Sequence, residues 1–246
     1  MPPLLVAALA GLASGLALVV GAAVAWFVAV PRWLVAAITA FGAGVLISAL
    51  AFDLVEEARR TGGFASAMAG FLAGAVVYVL ADKALDRLGA RSARSRGGSG
   101  GSGTGIGIAL GALLDGIPET SVQGLGLATS GSLSVAVVAA VIVSNIPEGL
   151  SSTADMRRNG RGARSVFLIW GGIAVACTLS AVAGLALLGQ APDAVSSFVT
   201  AIAAGAILAM LADTMLPDAY RETKAWTGLL VVLGFFASYG IHELGG

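Results

Sequence analysis

Two short segments of the chain combine carboxylates with other oxygen donors at helical spacing. The first runs Leu114-Asp115-Gly116-Ile117-Pro118-Glu119, and the second runs Val143-Ser144-Asn145-Ile146-Pro147-Glu148-Gly149. Asp115 and Glu119 stand four apart and so share one helix face, which Gln123 extends by a turn. Ser144 and Glu148 repeat that spacing in the second segment, with Asn145 beside them. Each proline removes the amide that would bond the carbonyl four residues back, which predicts freed carbonyls at Leu114 and Val143. Carboxylates, an amide, a hydroxyl and loose carbonyls are the oxygen donors that divalent cations take.

These segments lie inside apolar runs, and that decides how they are read. Apolar residues make up 57% of the 246 and charged residues only 11%, too few to wet the surface of a soluble domain. A bilayer core needs about 20 apolar helical residues. That rule predicts an all-α, polytopic membrane protein of eight spans: 4–30, 33–57, 64–86, 105–129, 134–154, 165–189, 196–218 and 225–243. The first run is too long for the core of a cleaved signal peptide and is expected to be retained. Residues 87–104, rich in Gly and Ser, are expected to form a flexible cytoplasmic loop. Its Gly98-x-Gly100-x-x-Gly103 lacks the strand a dinucleotide site needs.

Basic residues set the orientation. Arg32, Lys83, Arg87, Arg91, Arg94, Arg96, Arg157, Arg158, Arg161, Arg164, Arg221 and Lys224 lie on one side, against Arg59 and Arg60 on the other. This places both termini outside a plasma membrane and the basic loops in the cytoplasm. Trp26, Trp33, Trp170 and Trp226 fall at the same cytoplasmic ends, where an aromatic belt is expected. Lys+Arg and Asp+Glu balance at 14 each, so no global field recruits nucleic acid. The one cysteine, Cys177, and the one histidine, His242, exclude a disulfide framework and a cysteine cluster. His242 and Glu243 are expected to be solvated at the end of span 8.

The chain also repeats itself. Thr39 to Ala58 in span 2 aligns with Thr200 to Ala219 in span 7, and Ile117-Pro118-Glu119 with Ile146-Pro147-Glu148. Each pair crosses in opposite directions, which predicts inverted-topology repeats of the kind transporters use. Gly11/Gly15, Gly70/Gly74 and Gly107/Gly111 read as packing grooves, and glycine-lined surfaces permit a homodimer. Three mid-span carboxylates would cost roughly 8–10 kcal/mol unrelieved, so a bound cation or a proton must compensate them. Asp53 and Asp213, near the ends of spans 2 and 7, are expected to lie on the ion's path. For Glu56, Glu57 and Asp218 the expectation is interfacial acids satisfied by water. Met210 and Met215 read as packing.

At these residues the chain resembles the ZIP (Zrt-, Irt-like) family of divalent metal transporters. Ser144-Asn145-Ile146-Pro147-Glu148-Gly149 is similar to the family's His-Asn-x-Pro-Glu-Gly pattern, and Gly44 to Ala58 to its span 2 pattern, with Asp53 in a histidine place. The resemblance implies eight spans, kinked spans 4 and 5, and metal as substrate rather than as a resident cofactor. Asp115 and Ser144 stand where the family pattern has histidine, and span 6 carries neither acid nor histidine. One metal site is therefore expected: Asp115, Glu119 and Glu148 as charged ligands, with Asn145, Ser144 and Gln123 as neutral ones. An all-oxygen set suits manganese, magnesium or calcium, and zinc also accepts carboxylates. The expected function is uptake of a divalent metal. An intramembrane hydrolase and a metal sensor without transport are the alternatives.

Overall fold

A computed structural model describes residues 1–87, 103–188 and 191–245. The expected loop at 87–104 lies almost wholly outside the described residues. The described chain is helical, without strands. The helices are α1 (Pro3–Phe27), α2 (Arg32–Ala49), α3 (Glu56–Arg87), α4 (Gly103–Ser130), α5 (Val135–Arg158), α6 (Ala163–Leu188), α7 (Asp193–Met210), α8 (Leu216–Thr223) and α9 (Thr227–Gly245). Five stretches are long and apolar enough to cross a membrane, and two of these, Arg32–Leu85 and Asp193–Leu244, hold 54 and 52 residues. Each is about twice what one crossing requires.

Local chemistry sets the breaks. Val28 is extended at φ −122°, so α1 stops at Phe27, short of the expected Val30. Pro31 then caps α2, and the residue before a proline is held out of the helical region. Gly63, at φ 80°, interrupts α3 and separates the two halves of the longer stretch. Lys224, at φ 46°, does the same between α8 and α9. Ser134 caps α5 by accepting from the Val137 amide (3.2 Å). Gly160 ends it at φ 77°, four residues later than the apolar pattern predicts.

By contact, α1, α4, α5 and α6 form one group, α2 pairs with α9 and α3 with α7, and α2 packs also on α5. Close backbone approaches at glycine hold the pairs. Gly21 and Gly149 bring α1 against α5, Gly124 and Gly184 bring α4 against α6, Gly74 and Gly205 bring α3 against α7, and Gly44 and Gly234 bring α2 against α9. At each, a Cβ would overlap a carbonyl of the partner helix. Gly11, Gly15 and Gly70 pack in the same manner, while the Gly107 side-chain position is outside what is described. Small residues let membrane helices approach this closely, and the contact then draws on dispersion.

The packing has a symmetry of its own. Contact of α1 with α5 answers contact of α6 with α4, and contact of α2 with α9 answers contact of α7 with α3. Both α2 and α7 end in a π-helical turn, at Leu50–Val55 and Leu211–Met215. When Thr39 is aligned with Thr200, Leu50 falls on Leu211, the first residue of each turn. The sequence repeat and the backbone irregularity therefore share one register.

Not every aromatic takes its expected place. Trp33 and Trp226 are exposed, but Trp170 is fully buried and donates from its indole to Thr153 Oγ1 (2.7 Å). An indole needs such a partner once buried, and Thr153 on α5 supplies it. Met210 packs in the core as expected.

The glycine contacts predict a sharp contrast. Gly149→Ala places a methyl into the Leu18 carbonyl and should destabilise the fold by about 1–3 kcal/mol. Gly126→Ala meets nothing within 4 Å and should be neutral or stabilising. Thermal unfolding of the detergent-solubilised variants, followed side by side, checks this.

Candidate metal centre

Pro118 and Pro147 lie inside α4 and α5, which carry the two acidic segments. Asp115, Glu119, Gln123, Ser144 and Asn145 are all buried, at most 5% exposed. Glu148 is half-buried. Glu119 feels the charges of both Glu148 and Asp115, so the three carboxylates lie within electrostatic reach of one another across the two helices. Among the described residues, Asp115 and Glu119 are the only buried charged side chains. Oε2 of Glu119 and Oε1 of Gln123 are buried and make no hydrogen bond.

The neutral members are positioned from an unexpected direction. Asn145 Nδ2 donates to the Ser14 carbonyl (2.8 Å), and Gln123 Nε2 donates to the Ser14 hydroxyl (2.8 Å). A carbonyl can only accept, so Asn145 must present its NH2 to α1 and keep its Oδ1 for another partner. Gln123 likewise spends its donor on α1 and retains Oε1. Ser144 donates to the Val141 carbonyl (3.0 Å), which leaves its lone pairs as acceptor capacity. Sequence reasoning did not find Ser14. The available signal was its being the single hydroxyl in the 25 residues of α1.

Arg157 is a second unforeseen clamp. Its guanidinium donates to the Trp26 carbonyl (2.9 Å) and sits over the Trp26 ring (5.7 Å to the centroid). It thereby caps the open C-terminal carbonyls of α1 from α5.

α6 also reaches the site. Cys177 is fully buried, with its Sγ 3.1 Å from where a Cβ on Gly116 would stand. It lies within electrostatic reach of Glu119 and Glu148. In this conformation no three His, Cys, Asp or Glu side chains among the described residues converge into a ready cage. The donors surround one region but have not closed on a point.

Beside Glu119 the interior is apolar. Leu46 and Leu50 of α2, Val122 of α4, Val137 and Val141 of α5 and Ile207 of α7 line the space there. Beyond them Asp53, on the π turn after α2, accepts from the Ser134 hydroxyl (2.8 Å) and faces His242 Nδ1 (3.4 Å). The expectation that His242 is merely solvated is therefore corrected: α9 runs beside α2, and Phe52 and Tyr239 stack around the pair. Tyr239 also hydrogen-bonds Glu243. Glu56 is paired with Arg59 and Arg60, and Asp218 with Arg221, so these acids have protein partners besides water. Asp213, on the π turn after α7, is exposed and lies apart from the buried donors.

No protein-family model matches the chain. It is 32% identical over 200 residues to a protein of Arabidopsis thaliana named "Putative zinc transporter". That match takes in 79% of this chain and 31% of the plant protein, so the chain spans about a third of the length of the curated relative it matches.

Removing the hydroxyl that holds Gln123 isolates the α1 clamp. Ser14→Ala deletes one buried hydrogen bond but leaves the backbone carbonyl that Asn145 uses. Thermal denaturation should show a loss of about 1–3 kcal/mol, because a buried amide donor is left unmet. Unchanged stability would mean that Gln123 finds another acceptor.

Proposed function

We propose that this chain is a member of the ZIP family and carries a divalent metal cation inward across the plasma membrane, at a site between α4 and α5. The observation that carries the reading is the burial of Asp115 and Glu119 beside Glu148, with no buried basic side chain among the described residues. Carboxylates held this way are satisfied by a cation, and the neutral oxygens of Asn145, Ser144 and Gln123 complete an oxygen-rich set. The plant relative's name supports metal transport over the hydrolase and sensor readings. The protein acts as a carrier and not as an enzyme.

In this reading the chain crosses eight times with both termini outside, and the paired packing of the helices reflects inverted repeats. α1, α4, α5 and α6 hold the donors, and α2, α3, α7 and α9 form the second body. Asp53 receives the ion at the outer side. The apolar layer of Leu46, Leu50, Val137 and Val141 separates it from Glu119. An ion passes only when the first group of helices shifts against the second, and Asp213 receives it on the inner side. Alternating access follows from such a rocking motion. Protonation of the carboxylates favours release, because a proton and the metal compete for the same oxygens.

Reconstitution in liposomes tests this with zinc, manganese, iron and cadmium. Saturable influx is expected for wild type. Glu119→Gln and Glu148→Ala are each expected to lower it about tenfold or more, as loss of a direct ligand should cost at least as much as loss of a supporting residue. No flux of any metal from folded protein overturns the carrier reading. Metal affinity, measured by titration of the purified protein, should fall as pH is lowered through the carboxylate range. Affinity that rises on acidification would exclude carboxylate ligation.

A further inference from the structure

We propose that a cleft between the ends of α1 and α5 binds an anionic phospholipid, with Arg157 and Arg158 on its phosphate and an acyl chain against the apolar walls. Arg157 stands nine residues after Glu148 on α5, so this site is separate from the buried carboxylates. It does not depend on what the chain carries.

The cleft follows from where two neighbouring helices stop. α1 ends at Phe27 and Val28 turns extended, while α5 continues beside it to Arg158. A space of about 340 Å³ opens between them. Its size falls within the range of about 300–1,000 Å³ that ligand sites occupy. Ala25 and Ala29 on one side and Ala154 on the other are too small to fill it. On α5 the lining positions are Leu150, Ala154, Arg157 and Arg158, a spacing of four, three and one that keeps them on one helix face. Leu150 lies about 10 Å deeper than Arg157, since seven residues of helix separate them. The cleft is therefore apolar at its inner end and basic at its mouth.

That polarity selects the occupant. Nη1 of Arg157 donates to the carbonyls of Trp26 (2.9 Å) and Ala25 (3.5 Å), and the guanidinium lies over the Trp26 ring. These contacts leave Nε and Nη2 for a ligand and fix the planar group before one arrives, so little side-chain freedom is lost on binding. Arg158 pairs with Asp155 in an exposed contact that a phosphate can share. From 150 to 165 the chain carries Arg157, Arg158, Arg161 and Arg164 against the single acid Asp155, an excess of positive charge that attracts anionic headgroups. Phe27 and Val28 are exposed beside the cleft, as side chains facing hydrocarbon are. A free phosphate would meet the arginines but leave the apolar walls wet. A zwitterionic lipid would cover the walls but bring its ammonium group against the guanidinium groups. An anionic phospholipid satisfies both ends.

The test uses full-length protein purified in a neutral detergent and titrated with phosphatidylglycerol, phosphatidylcholine or inorganic phosphate. Native mass spectrometry counts the bound molecules. A saturable phosphatidylglycerol adduct is expected at concentrations where phosphatidylcholine gives none. Arg158→Ala should weaken it about fivefold, the usual effect of one basic residue at an anionic membrane surface. Ala154→Leu changes no charge but fills the cleft, and should abolish the adduct. The unfolding temperatures of both variants without lipid should match wild type, which separates loss of the site from loss of the fold. Equal retention of the two lipids overturns the proposal, and so does phosphatidylglycerol binding that neither variant alters. Inorganic phosphate that binds through Arg158 while phosphatidylglycerol does not would make this a phosphate site and overturn the lipid.

Discussion

Moving a carboxylate from water into a low-dielectric interior costs several kcal/mol unless a cation, a proton or several donors meet it. Asp115 and Glu119 are held in that situation, and Glu148 is near enough to raise the cost further. The surrounding helices must therefore be fixed by forces that do not depend on the acids. Glycine contacts between backbones do this, because they operate whether or not an ion is present. Asn145 and Gln123 add direction by tying α5 and α4 to one residue of α1.

The helices differ in what they hold. Donors concentrate in α4 and α5, with α1 as the strut that orients them. The other helices contribute an apolar wall and, on the π turn after α2, Asp53. A hydrogen bond from Ser134 to Asp53 links the cap of α5 to the π turn after α2. A hydrogen bond of this kind contributes about 1 kcal/mol, which is small enough to be exchanged during a cycle of motion.

How much of this was legible in the sequence follows from the range of the interaction. The spacing of Asp115, Glu119 and Gln123 is local to one helix, so periodicity exposed their common face. The register of the two halves was similarly local. Ser14, Arg157 and His242 were not legible as participants, because each acts on a residue far along the chain. Trp170 erred in the opposite direction. Its sequence position near a basic loop matched an aromatic belt, but Thr153 draws it inward.

The matched π turns bear on how far the two helices can vary in length. A π turn is one residue more than an α-helix needs, and it persists where the surroundings have adapted to it. Both turns begin at the same aligned position. The extra residue also fixes the phase of everything downstream. Deleting it would rotate the rest of the helix by about a quarter of a turn, since each residue advances the helix by that much. After α2 this would swing Asp53 away from His242 and Ser134; after α7 it would turn Pro217 and Asp218 to a new side. Length, more than residue identity, is what these two turns constrain.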